Sequence, residues 1–260
     1  MELVPASSFD SASLAELFTA GYEGYSVQIR LDEPAFRTMV EVSDLDLARS
    51  RVAVVDGSPV GAAVLGVRGE EAWIGGLGVV PATRRGGVGR ALTKALLAEA
   101  GSRVVRLEVI ESNAPAIALY EALGFREIGK LEVWSWAGEA PPPSSAVSVP
   151  VEEAHAWIRE HRSEREPWQR ADGTLAHLMQ LDAVALEDRG AAVFRVLGDR
   201  VSMLQLEAVD EDAAAEVLRA ARFRGTALGF LNVPEGHVAS RALRRHLRTQ
   251  LEVRQVEMAR

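Results

Sequence analysis

One order of elements occurs twice in this chain. From about Gly61 onward the apolar patterning reads strand, strand, helix, strand, helix, strand, and from Ala191 to Met258 the same order returns. Two helical stretches precede each run: "SLAELFTAGYEGY" and "DEPAFRTMVEVSD" before the first, "VEEAHAWIREHRS" and "GTLAHLMQLDAVALED" before the second. Between the halves lies "GEAPPPSSAVSVP", Gly138 to Pro150, whose triple proline can join neither a helix nor an interior strand. The expected division is a first domain over 1–138, a Pro-rich linker over 139–150 and a second domain over 151–260. With 260 residues and 48% hydrophobic side chains, the chain can bury two cores. The expected fold class is α/β (α+β): two units in tandem, each a mixed, mostly antiparallel sheet flanked by helices.

Several chemistries are excluded at once. With no cysteine, disulfides, thiolate catalysis and Cys-ligated zinc are unavailable, and the five histidines match no metal-ligand spacing, so no metal is expected. A formal net charge of −8 disfavours a nucleic-acid partner, because that affinity depends on neutralising phosphates, and suits a cationic or small-molecule one. The short basic face "RALRRHLR" reads as solvated. No apolar run approaches a membrane span and no signal sequence is apparent, so a cytoplasmic protein without membrane partners is expected, as a monomer or homodimer.

Within the first unit, Asp56-Gly57 marks a hairpin between the first two of three antiparallel strands. The third strand, "AWIGGLGVV", carries Gly75, Gly76 and Gly78, which suggest a bulge or splay that leaves N–H groups unpaired. It runs into "PATRRGGVGR", a glycine-rich, cationic corner that opens a helix. Backbone N–H groups at a helix start are unpaired and the dipole is positive there, so this corner is an anion site. It lacks the Lys-Ser/Thr of a Walker loop, and it is neither the dinucleotide pattern Gly-x-Gly-x-x-Gly nor a repeated RGG segment.

Arg84 to Gly89 fits Gln/Arg-x-x-Gly-x-Gly/Ala, and "NAPAIALYEALGF", Asn113 to Phe125, follows it on a strand and a helix. Together the two motifs resemble the GNAT superfamily of acyl-CoA-dependent N-acyltransferases. The resemblance implies acetyl-CoA as cosubstrate, its pyrophosphate held by Arg84, Arg85, Gly86, Gly87, Val88, Gly89 and Arg90. It implies a pantetheine arm along Leu77, Gly78 and Val79, an N-capping Asn113 that also touches the cofactor, and Tyr120 beside the thioester sulfur. A phenol of ordinary pKa near 10 is protonated at neutral pH and can donate to a departing thiolate. Glu71 is the expected general base, with Glu70, Glu108, Glu111 and ordered water as alternatives. Tyr22, Glu23 and Tyr25 are the expected acceptor wall for a small-molecule or peptide amine.

The second half resembles a GNAT unit that has lost this chemistry. Where the first has "PATRRGGVGR" it has "DEDAAAEV", and Arg244 falls opposite Tyr120. The resulting expectation is an N-acetyltransferase with one site per chain, in the first unit. A non-catalytic acyl-CoA sensor, a longer acyl donor and a nucleic-acid binder are the alternatives.

Overall fold

Asp10 and Asp32 start the first two helices. Each carboxylate accepts the N–H three residues on, from Ser13 at 2.7 Å and from Ala35 at 2.8 Å, so each helix begins with an orphan donor satisfied. The computed structural model describes residues 1–25 and 29–260. The first ten elements are β1 (Glu2–Pro5), α1 (Ser11–Gly21), α2 (Glu33–Val42), β2 (Arg51–Val55), β3 (Ser58–Arg68), β4 (Glu71–Val79), α3 (Val88–Ala100), β5 (Val104–Ile110), α4 (Ala114–Glu121) and β6 (Arg126–Ala137). The rest are β7 (Val147–Ser148), α5 (Val151–His161), α6 (Asp172–Leu175), β8 (Leu181–Leu186), β9 (Gly190–Leu197), β10 (Arg200–Ala208), α7 (Glu211–Arg222), β11 (Ala227–Pro234), α8 (Val238–Arg245) and β12 (Gln250–Ala259). The repeated order is therefore β3 to β6 and β9 to β12.

Two compact units result: Met1–Ile128 with Glu257–Arg260, and Gly129–Val256. The break thus falls ten residues before the Pro-rich stretch expected to be the linker, inside β6. In the first unit β1, β2, β3 and β4 are antiparallel neighbours. Asp56 and Gly57 both have positive φ, 49° and 79°, which is the turn a two-residue hairpin needs to match strand twist. β5 joins β4 in parallel, and on its other edge Val105 exchanges hydrogen bonds with Arg260, at 2.8 and 2.9 Å. Leu14, Phe18 and Phe36 from the first two helices and Leu92 and Leu96 from α3 are fully buried, so both faces of this sheet are covered.

β6 does not close the first unit. Its residues Leu131 to Ala137 pair antiparallel with β11, and Trp134 and Trp136 are buried in a cluster with Phe194, Phe230 and Leu243. The aromatic face of β6 selects that core, whereas β5 takes the last four residues as its neighbour. β8, β9 and β10 continue the second unit antiparallel, with β10 parallel to β11. Among the described residues, no helix is long and apolar enough to cross a membrane.

Candidate active site

The site of the first unit begins where two strands part. β4 and β5 pair only from Glu71–Trp73 to Val104–Arg106. Just beyond, the register of β4 against β3 jumps from Leu65↔Ile74 to Val64↔Gly76, so Gly75 is an extra residue, a bulge. Gly75 has no room for a side chain: a Cβ there would lie 2.5 Å from the Trp73 ring. After the bulge the Val80 N–H donates to Val60 on β3, at 2.9 Å. Alternation then turns the N–H groups of Leu77 and Val79 to the edge that β5 has left. Gly78 serves a different purpose from the one expected, close packing of α1 on β4, since a Cβ on Gly21 would lie 2.8 Å from its backbone.

The corner after β4 is built for an anion. Arg85 and Gly87 have φ of 67° and 81°, left-handed conformations that turn successive backbone N–H groups toward one side. Gly87 occupies the N-cap of α3, and no side chain caps that helix. Capping side chains accept from the first turns of α1, α2, α4, α7 and α8. α5 and α6 also start without a side-chain cap, so what marks α3 is its bare first-turn donors together with left-handed Arg85 and Gly87, an arrangement that can hold an anion. A cleft of about 710 Å³ opens here, within the range of cofactor sites. Leu77 and Val79 line it from β4, Arg84, Arg85, Gly87, Val88, Gly89 and Arg90 from the corner, and Asn113 from α4. Gly86 and Tyr120 are not on its wall. Asn113 also caps α4, accepting from Ala116 at 3.3 Å.

Tyr120 is 7% exposed, with its ring edge-on to Phe125 at 5.7 Å between centroids. Among the described residues its hydroxyl has no hydrogen-bond partner. Burial raises its pKa well above the ordinary tyrosine range, with Tyr25 and Tyr22 adding to the rise. The chain has three tyrosines, and Tyr22 and Tyr25 are both near enough to Tyr120 to add to that rise. Tyr22 lies against β4, its hydroxyl 2.9 Å from where a Gly76 Cβ would be. Burial and Tyr25 raise its pKa, against the opposing hydrogen bond of the Leu77 amide. Tyr25 stands edge-on to Tyr22 at 5.2 Å and lines the cleft, whereas the Glu23 side chain is exposed and contributes its carbonyl.

Two expectations need correction. Glu71 is at the paired end of β4, six residues or about 20 Å along the strand from Leu77, and its carboxylate is bound to Arg106. The carboxylate that stands where the strands part is Glu108, two residues beyond the last β4–β5 pair. It accepts the Trp73 indole N–H at 2.8 Å and shares a strand face with Ile110, which lines the cleft. Alternation along "RLEVIE" places Glu108 on that face, but only the pairing shows at which end the strands open. The second correction concerns the Arg84 side chain, expected to add charge beside backbone amides that hold the pyrophosphate. It does not await a phosphate but hydrogen-bonds three carbonyls, Val79 at 2.9 Å, Gly21 at 3.0 Å and Glu23 at 2.6 Å.

The second unit has the same strand parting with the opening filled. β10 and β11 pair only from Arg200–Met203 to Ala227–Phe230, then separate around a second bulge. Arg170 spans the gap: its carbonyl accepts from Gln205 on β10 at 2.7 Å, and its guanidinium donates to the Asn232 carbonyl on β11 at 3.2 Å. Glu166 pairs with it at 2.7 Å, and its guanidinium lies 4.5 Å from the centre of the Phe230 ring. At the next helix start, Asp210 caps α7 through the Ala213 N–H at 2.7 Å, with Glu211 and Asp212 in the first turn. Arg244, opposite Tyr120 in the repeat, is bound to the buried Glu132.

Comparison with known proteins agrees with this geometry. Residues 13–125 match the family model described as Acetyltransferase (GNAT) family. A 61-residue stretch, 22% of this chain, is 49% identical to the [Ribosomal protein bS18]-alanine N-acetyltransferase of Escherichia coli, of which it covers 41%. A 53-residue stretch is 51% identical to an uncharacterized protein of Mycobacterium leprae, covering 20% of this chain and 15% of that one. The chain therefore spans less than half the length of these relatives. Over its whole length it has the fold of a GCN5-related N-acetyltransferase from Sphaerobacter thermophilus, with TM-score 0.71, 15% identity and 95% of that chain covered. A tandem GNAT protein from the clavulanic acid biosynthesis pathway matches at TM-score 0.60 and 18% identity, with 100% of this chain and 98% of that one covered. The likeness to the GNAT acetyltransferase family therefore lies in the first unit, over residues 13–125, which is less than half of the chain.

Proposed function

We propose that the first unit transfers an acetyl group from acetyl-CoA to a primary amine by direct attack on the thioester. The observation that carries this reading is the uncapped start of α3, with left-handed Arg85 and Gly87, set against the carboxylate-capped start of α7. The same fold position offers bare N–H groups in one unit and three acids in the other, so the anion belongs to the first.

In the reaction the neutral amine nitrogen forms a bond to the acyl carbon while the carbon–sulfur bond breaks. The Val79 amide, free of β5, donates to the cofactor arm or to the carbonyl oxygen that gains charge, while the Leu77 amide already donates to the Tyr22 hydroxyl. Glu108 takes the amine proton through water, and Tyr120 gives a proton to the departing thiolate. Burial keeps Tyr120 neutral, so the donor is fully loaded throughout the neutral range. An alanine-initiated peptide is the first acceptor to test, since the Escherichia coli relative is named for an alanine substrate.

Thiol release from acetyl-CoA, measured across amines that include an alanine-initiated hexapeptide and polyamines, tests the reading. Coenzyme A binding without thiol release for any amine would make the unit a sensor instead. Two variants sharpen the test. Gly87→Asp puts a carboxylate at the start of α3 and strains its left-handed backbone; coenzyme A affinity by calorimetry should fall at least about 100-fold. An unchanged affinity would place the pyrophosphate elsewhere. Glu108→Gln should lower kcat by about 100-fold, whereas Glu71→Gln should leave it within about threefold. The reverse order would restore Glu71 as the base.

A further inference from the structure

We infer that Arg84 is a positioning residue for the acceptor side of the cleft rather than a ligand of the cofactor. The inference rests on the acetyl-CoA reading above. Arg84 lies in the cofactor corner by sequence, yet its guanidinium is committed to the loop that follows α1. Nε holds the Val79 carbonyl at the end of β4, and one terminal nitrogen holds both Gly21 and Glu23 carbonyls. The same group lies 5.9 Å from the centre of the Tyr25 ring, and its other terminal nitrogen would lie 3.7 Å from a Cβ on Gly24.

These contacts have a shared physical logic. The Gly21 and Glu23 carbonyls lie at and just beyond the end of α1, where the helix leaves acceptors unpaired and the dipole is negative. A cation is favoured there, and α1 has no basic residue of its own in its last turn. Arg84 supplies that cation from another element. Its planar fork can hold three carbonyls at once, which a lysine ammonium on a flexible stem does not reproduce. Gly21, Gly24, Tyr25 and Arg84 all line the cleft. One side chain therefore fixes the wall that faces the acceptor to the backbone that faces the anion.

The consequence is a separation of roles inside the motif. The Arg85–Gly89 backbone and the start of α3 hold the anion, while the Arg84 side chain sets where Tyr22 and Tyr25 stand.

The test compares wild type, Arg84→Ala, Arg84→Lys and Arg84→Gln in the full chain. Coenzyme A affinity is read by calorimetry, and backbone amide exchange over Gly21–Tyr25 is read without ligand. Both Arg84→Ala and Arg84→Lys should bind coenzyme A within about threefold of wild type, while exchange over the loop quickens about tenfold or more. Arg84→Gln, whose amide can still donate to one or two carbonyls, should fall between. With the alanine-initiated hexapeptide, KM should rise about tenfold and kcat fall less. A tenfold loss of coenzyme A affinity with unchanged loop exchange would make Arg84 a cofactor ligand and overturn the inference. Failure of the wild type to bind coenzyme A would instead defeat the acetyl-CoA reading, and the exchange arm would still report whether Arg84 holds the loop.

Discussion

Tyr120→Phe should lower turnover by about 100-fold to 10,000-fold, the range for loss of a positioned general acid, while coenzyme A affinity stays within about threefold. The ring remains: it packs edge-on to Phe125, and among the described residues its hydroxyl bonds to nothing in the protein, so removing the oxygen leaves no partner stranded. The unfolding midpoint should therefore move by no more than about 2 °C. The pH dependence follows from the direction of the shift. A phenol whose pKa is raised by burial stays protonated through and beyond the ordinary tyrosine range. Wild-type kcat should consequently show no alkaline decline attributable to Tyr120 below about pH 10. The high pKa also makes full transfer to a thiolate of ordinary basicity uphill, which is offset only if the sulfur is buried beside it and its own basicity raised. Stopped-flow thiol detection on both proteins measures the effect; a loss below about threefold would remove Tyr120 from the acid role.

Arg170→Met should destabilise the second unit by about 3–5 kcal/mol, the cost of breaking a buried ion pair from one side. Arg170 is 1% exposed and Glu166 7% exposed. Removing the guanidinium leaves the buried Glu166 carboxylate without its ion-pair partner at 2.7 Å, with His237 and Arg162 still near it, and the Asn232 carbonyl without its donor. Burial already raises the pKa of Glu166, against the pull of Arg170, so the carboxylate is poorly tolerated once its partner is gone. Arg170→Met with Glu166→Leu should recover most of the loss, because apolar replacement of a whole buried pair is often neutral or stabilising. Denaturant unfolding followed by near-ultraviolet circular dichroism reads this, since buried Trp134, Trp136 and Trp168 lie in that unit. A single variant that costs less than about 1 kcal/mol would mean that the parted strands do not depend on Arg170. The acetyl transfer proposed for the first unit gives an independent control, as its cleft contains none of these residues.

Much of this protein is legible without coordinates because its signals are local. Asp10, Asp32 and Asn113 sit three residues before the N–H groups they cap, and Asp56-Gly57 adopts the paired positive φ values its chemistry favours. The glycine corner is equally local: left-handed backbone and an uncapped helix start follow from Arg84 to Gly89 alone. The Arg244 substitution and the acids of α7 likewise announce that the second unit lacks this corner.

What the sequence could not decide depends on partners distant along the chain. β6 and β12 alternate apolar and polar residues in the same way, and nothing in either run states which strand will flank β5. The burial of Trp134 and Trp136 settles that, together with the break between the units. Glu71 and Glu108 are both carboxylates on neighbouring strands; the end at which β4 leaves β5 decides which one stands where the strands part. Arg84 reads as part of the phosphate corner until the fold gives its guanidinium the Val79 carbonyl of β4 and two carbonyls at the end of α1. The sequence by itself determined most of the elements, the repeat and the glycine corner, because caps, turns and helix starts are set by residues within a few positions of one another; "GTLAHLMQLDAVALED", expected as a helix, is instead the single turn α6 followed by β8. Only the tertiary structure decided which strands pair, which acid stands where they part and which cation is already occupied, because each outcome depends on what burial places beside it.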